Sequence, residues 1–225
     1  MDSEAGNPQS FDIALETSTR QASLAVCRSG SIEMDYLADD VAHASDLLPL
    51  LAKSLDSMGL ARENMRSIHV GIGPGSFTGL RVGCTIALGL AEGLQVQICA
   101  VPSVAATAWA ALESGELGTV VLDARGGALY LATYRKGEQD LIVESSPSRL
   151  RVADAQALEL PSGILLGDSK TLGLLHGEER ETHPWRTDAL PNASALLYLG
   201  LRQMARVGPT PSSEVRPLYM ADFGA

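Results

Sequence analysis

The sequence predicts an α/β fold of two lobes, and three observations lead there. Strand patterns at 11–17, 22–28 and 31–38 follow one another with short turns. Helix and strand patterns then alternate as far as residue 113, and a second hairpin-then-helix order opens at Thr119. The first three strands have connections too short for crossovers, which makes them antiparallel neighbours in a mixed sheet; each lobe is expected to hold five strands. The repetition of order is loose and does not by itself prove duplication.

Each element has its own signal. Residues 1–10 are polar, lack an apolar signal-peptide core and read as a flexible tail. From Ser45, Leu47, Leu48, Leu51, Leu55 and Met58 share one helical face, with Pro49 in the first turn and Gly59 closing the helix. A strand at 67–72, a loop at 73–78, a helix at 79–94, a strand at 97–101 and a helix at 103–113 capped by Ser103 complete the first unit. In the second, strands at 119–123 and 128–135 join through Gly126-Gly127. A strand at 140–145, a short helix at 153–158 and a strand at 163–166 follow. The pattern is poor from 167 to 191, where mostly loop is expected. A final helix starts at Asn192 or Ser194 and runs to Met204, with Ala195, Leu196, Leu199 and Met204 on one side; 208–225 is Pro-rich and extended. The boundaries are then a tail at 1–10, an N-terminal lobe at 11–102, a C-terminal lobe at 103–191, and a final helix and tail at 192–225 that can return to the first lobe.

Composition narrows the function classes. The 225 residues are 45% hydrophobic but only 4% aromatic, so the core is built from Leu, Ala, Val and Ile. The formal net charge is −10 and the basic residues are scattered, which argues against strong unaided binding to nucleic acid and for a basic partner. Cys27, Cys84 and Cys99 have no paired spacing and read as buried free thiols of a reducing compartment. No apolar run reaches the roughly 18 residues of a membrane span. A soluble, cytoplasmic protein is expected.

The most informative segment is Gly73-Pro74-Gly75-Ser76-Phe77-Thr78-Gly79, between a strand and a helix. A helix N-terminus with small residues can hold an anion; the same segment can be a tight turn capped by Ser76 or Thr78. A P-loop needs Lys after its last Gly, and Leu80-Arg81 follows here. The dinucleotide fingerprint fails at Thr78, and the Gly-x-Ser-x-Gly elbow fails at Pro74 and Thr78. In the next helix Gly79, Gly83, Ala87 and Ala91 recur every four residues as a nearly bare ridge. Glycine in a helix costs about 1 kcal/mol relative to Ala, so such a ridge implies close approach of another backbone, in this chain or a partner.

Elsewhere the chemistry is sparse. His43, His69, His176 and His183 form no His-x-x-x-His pair and no Cys/His cluster has zinc spacing, so no metal is expected. Glu16-Thr17-Ser18-Thr19 can hold a magnesium nucleotide or be an ordinary turn. Asp123 and Arg125 can pair with each other or meet a ligand.

Together these segments resemble the TsaB family, also called YeaZ. The resemblance rests on residues 13–19, residues 42–51, the Gly71–Gly83 signature, Asp123-Ala124-Arg125 with Tyr130, and Pro217-Leu218-Tyr219. It is strong over 11–136. It implies an actin-like ATPase (ASKHA) fold of two ribonuclease-H-like lobes. It also implies a non-catalytic subunit, with no catalytic residue and no cofactor, that binds and supports TsaD. That complex, with TsaE acting through it, transfers threonylcarbamoyl to the tRNA adenosine beside the anticodon; tRNA is met only indirectly and no membrane is involved. The implied interface with TsaD is His43, Leu47, Leu50, Leu51, Gly79, Gly83 and Ala87, which makes a homodimer when the chain is alone. Glu16, Thr17, Ser18, Gly73, Gly75 and Ser76 are the candidates for nucleotide contact. Two departures stand out: the family usually has Asp where Glu16 stands, and bulkier, acidic residues where Gly126-Gly127-Ala128 stands. The alternatives are an ATPase or phosphotransferase of the same fold and, more distantly, a peptidase.

Overall fold

The structure, a computed structural model, describes residues 9–36, 46–175 and 183–218. Its first sheet contains β1 (Phe11–Glu16), β2 (Ser23–Arg28), β3 (Ser31–Tyr36), β4 (Met65–Gly71) and β5 (Gln97–Val101), in the order β3-β2-β1-β4-β5. Helices α1 (Leu47–Ser57), α2 (Phe77–Leu94) and α3 (Ser103–Ala111) are interleaved with them. The second sheet contains β6 (Leu117–Asp123), β7 (Ala128–Lys136), β8 (Leu141–Arg151), β9 (Ile164–Gly167) and β10 (Trp185–Thr187), in the order β10-β9-β6-β7-β8. Short helices α4 (Val152–Gln156) and α5 (Ser169–Leu172) and the long α6 (Ala193–Val207) are the other α-helices among the described residues. Each sheet is three antiparallel strands followed by two parallel ones, so both lobes have the same topology.

The central strand β1 is buried on both faces, which is why it reads as a nearly continuous apolar run. Ile13 and Leu15 face one core with α1 and α2, where Leu47, Leu51, Leu55, Cys84 and Ala87 meet them. Ala14 faces the other core, where Leu196 and Leu197 of α6 pack over Ala25, Cys27 and Cys99. Small residues on that face let α6 lie close to the sheet. Gly200 marks the closest approach: a Cβ there would stand 2.2 Å from His69 Nδ1. The start of α6 is tied to β2, because Ser23 Oγ accepts the Ala193 N–H at 3.0 Å. The tail beyond α6 runs along β5, where Thr210 N–H donates to the Ile98 carbonyl at 2.9 Å.

Several expectations are corrected. Leu48 is not on the core face of α1 but 46% exposed; the buried face is Leu47, Leu51, Ser54 and Leu55. Helix α2 starts two residues early, capped by Ser76, whose Oγ accepts the Gly79 N–H. Ser103 is the first residue of α3 and not its cap; its Oγ turns back to accept the Gly73 N–H at 3.1 Å. Strand β8 runs to Arg151, and 167–191 contains α5 and β10. By length and composition alone α2 could cross a membrane. Its apolarity is explained by its packing on the first core.

A buried polar chain crosses the first sheet. Ser67 Oγ donates to Asp12 Oδ1 at 2.7 Å and lies 3.0 Å from His69 Nε2, while Arg66 pairs with Asp12 from the surface. Burial beneath α6 lowers the His69 pKa from 6.5 to about 4, with Asp12 opposing. The unfolded chain takes up this proton below pH 6.5 and the folded chain does not until about pH 4, so stability falls as pH falls across that window. Between pH 6.5 and 5 the loss is about 2 kcal/mol. Denaturant titrations over that range should show this slope, and His69→Gln should flatten it.

Candidate functional site

The site is built where β1 ends. Glu16 is fully buried there, followed by Thr17 and Ser18, both less than 5% exposed. Its Oε1 accepts the Ser18 N–H at 2.6 Å. Its Oε2 fits against the Gly71 backbone so closely that a Cβ at Gly71 would be 2.1 Å away. Burial raises the Glu16 pKa above 4.5; hydrogen bonds from Ser18, Ser103 and Thr17 oppose that rise. Oε2 is buried without a hydrogen-bond partner among the described residues, and the Ser103 hydroxyl at the start of α3, which accepts the Gly73 N–H, is the nearby group that opposes the rise. Sequence reading missed Ser103 and Gly71 because nothing local in either segment signals contact with a strand end far away in the chain.

The glycine loop closes over this turn. Ser76 N–H donates to the Ser18 carbonyl at 2.7 Å, and Thr17 Oγ1 donates to the Gly79 carbonyl at 2.8 Å. A Cβ at Gly75 would lie 2.4 Å from the Ser18 carbonyl oxygen. One at Gly79 would lie 2.0 Å from the Thr17 carbonyl oxygen, and one at Gly83 would lie 2.3 Å from Thr17 Oγ1. The glycine ridge thus exists to let α2 touch the β1–β2 turn within this chain. Of the α2 residues in the implied interface with TsaD, Gly83 and Ala87 are buried within this chain. Leu47 and Leu51 are likewise consumed by the core, Leu50 is half-buried against it, and His43 lies outside the described residues.

The six nucleotide candidates do come together, but as partners of one another. The Ser76 N–H is bonded to the Ser18 carbonyl and the Gly79 N–H to Ser76 Oγ, so these donors are not presented to a phosphate. The gap between turn and loop has no room for a methyl group, still less for a phosphate. The tight-turn reading, with Ser76 as cap, is the one this geometry supports.

The hairpin between β6 and β7 is a local turn. Asp123 Oδ1 accepts the Arg125 N–H at 2.7 Å, with Arg125, Gly126 and Gly127 at positive φ. What α2 turns outward is different. Phe77 is 44% exposed, with the Arg81 guanidinium 3.8 Å above its ring. Gly89 and Gly93 are exposed with nothing within 4 Å of a Cβ position. Leu48 of α1 is likewise exposed, and Thr78, Arg81, Thr85 and Glu92 are exposed on α2 with Phe77, Gly89 and Gly93.

Known proteins resemble this chain along most of its length. A family profile described as TsaD, tRNA N6-adenosine threonylcarbamoyltransferase, matches residues 40–174. The tRNA threonylcarbamoyladenosine biosynthesis protein TsaB of Haemophilus influenzae is 36% identical over 226 residues, 92% of each chain. TsaB of Escherichia coli is 30% identical over 131 residues, and that stretch spans 57% of each chain. Among solved structures, an uncharacterized Pseudomonas aeruginosa protein with similarity to peptidase YEAZ superposes with a TM-score of 0.82 at 28% identity, over 94% of this chain and all of that one. A second Pseudomonas aeruginosa structure, named YeaZ, gives 0.81 at 28% identity. With a relative aligned along nearly its whole length and solved YeaZ structures that superpose on both lobes, the chain belongs to the TsaB (YeaZ) family.

Proposed function

We propose that this chain is the non-catalytic partner of a TsaD-type protein in the transfer of threonylcarbamoyl to a tRNA adenosine. It works in the cytoplasm, meets TsaE through the complex, and leaves tRNA contact to its partners, in keeping with its net charge of −10. The observation that carries the non-catalytic reading is the closed glycine loop. Between the β1–β2 turn and the glycine loop there is no room for a phosphate, because the two backbones are in contact. Family membership supports the place in tRNA threonylcarbamoyladenosine biosynthesis.

The surface offered to TsaD is the outward side of α1 and α2, with Leu48, Phe77 and the open positions Gly89 and Gly93. Helices from two subunits of one fold can pair there as a four-helix contact, and in the absence of TsaD the same surface pairs with itself as a two-fold homodimer. Because Gly83 is packed inside the chain, the informative substitution is Gly89→Leu. It should leave the isolated chain folded and abolish co-elution with TsaD on size exclusion. A folded variant that co-elutes normally places the interface elsewhere. The rival reading, an ATPase of this fold, requires ATP turnover by the isolated chain that is lost in Glu16→Gln; we expect no turnover in either.

A further inference from the structure

A cavity of about 560 Å³ opens between the lobes beside the β7–β8 turn, at the end of β7 opposite the Gly126-Gly127 tip. This is within the size range of small-molecule sites, which concentrate where two units of a fold meet. Its floor is apolar, with Val101, Ala105 and Leu199, and Val143 and Pro147 of β8 form one wall. Arg206, in the last turn of α6, lines it as well.

The rim is held in place from both lobes. Tyr198 of α6 stacks on Trp109 of α3 with ring centroids 4.5 Å apart, and its hydroxyl donates to the Gln139 carbonyl at 3.2 Å. Arg202, one turn further along α6, donates to Gln139 Oε1 and to Asp140, each at 3.1 Å. The β7–β8 turn is therefore fixed to α6, and the cavity is already formed without an occupant.

Two features decide what it can take. Asp140 neutralises Arg202, but Arg206 has no carboxylate partner among the described residues. The cavity thus carries an unmatched positive charge in a chain of net charge −10. Strand β8 is the edge of its sheet, yet its pairing with β7 is broken by two register shifts and it carries Pro147. Bulges and proline blunt an edge against strand addition. They also argue against an extended peptide laid along β8. We infer that this cavity binds a small organic anion with an apolar body, the anionic group meeting Arg206 and the body lying on Val101, Ala105 and Leu199. The inference does not depend on the partner surface of α1 and α2.

The probe is 1-anilinonaphthalene-8-sulfonate, titrated into the full chain by fluorescence, with the uncharged N-phenyl-1-naphthylamine as comparison. One saturable site is expected for the anion, with the neutral compound bound more weakly. Losing a charge-assisted contact should weaken the anion about tenfold or more in Arg206→Glu, and Val143→Trp should weaken both compounds. Both positions are exposed, so folding is expected to survive, checked by circular dichroism; Arg206→Gln is the substitute if Glu disturbs it. Leu158→Glu, an exposed position just beyond α4 and outside both the cavity lining and the partner surface, should change nothing. Equal binding of the two compounds, indifference to both Arg206 variants, or loss of binding in Leu158→Glu would each overturn the assignment.

Discussion

Gly79→Ala should destabilise the chain by at least about 3 kcal/mol, the upper end of overpacking costs. The added methyl would stand 2.0 Å from the Thr17 carbonyl oxygen, which is backbone and is held by β1. Neither side can yield cheaply: α2 is fixed by its core residues Leu80, Cys84 and Ala87, and the turn by Glu16 and Ser18. For a chain of this size the loss corresponds to a drop of about 6–12 °C in Tm. Gly89→Ala, ten residues along the same helix, is the internal control. Nothing lies within 4 Å of its Cβ position, so it should stabilise by about 0.5–1 kcal/mol through helix propensity alone. Thermal unfolding of the two variants checks both signs; equal effects would mean that α2 does not seat on the β1–β2 turn as described.

The second large effect is expected at Gly200. A methyl there meets three atoms of the His69 ring within 3.1 Å, and that ring is buried between sheet and helix. Gly200→Ala should lift α6 from the first sheet and cost about 2–3 kcal/mol. Shortening the ring to His69→Ser in the same chain should recover part of that cost, so the double-mutant cycle should give a coupling of about 1 kcal/mol or more. Additive effects would show that the two residues do not touch. The variant also bears on the cavity, since α6 supplies Leu199 and Arg206 to it.

What the sequence disclosed divides along physical lines. Strands β1 to β3 were legible because apolar runs and short turns leave antiparallel pairing as the simplest solution, and α2 was legible through its spacing of small residues. The need for a close backbone neighbour at Gly79 and Gly83 was also legible. Which neighbour was not: spacing along one helix cannot tell a turn of the same chain from a partner's helix, and the turn at Thr17–Ser18 is more than sixty residues away. Leu48 misled because a leucine beside Leu47 fits the periodic face, while the real face turns through Leu47, Leu51 and Leu55. Strand β8 was cut short because most of its residues are exposed, so it has no alternation to read. The three residues of β10 carry too little pattern to be seen. Within the site, Glu16 and the glycine loop were named together only as candidates for nucleotide contact; their closure on each other depends on Gly71 and Ser103, which only the fold brings to them.

The non-catalytic subunit reading is tested most directly by threonylcarbamoyl transfer to tRNA in a reconstituted system. A TsaD protein, tRNA and the threonylcarbamoyl donor would be assayed with this chain, without it, with the chain alone, and with Glu16→Gln in its place. Transfer should require TsaD and rise on addition of the chain. The chain alone should give none, and Glu16→Gln should support TsaD as well as the natural chain does, because Glu16 bonds within its own turn. Transfer that is indifferent to the chain would contradict the partnership, and transfer by the chain alone that disappears in Glu16→Gln would make it the enzyme.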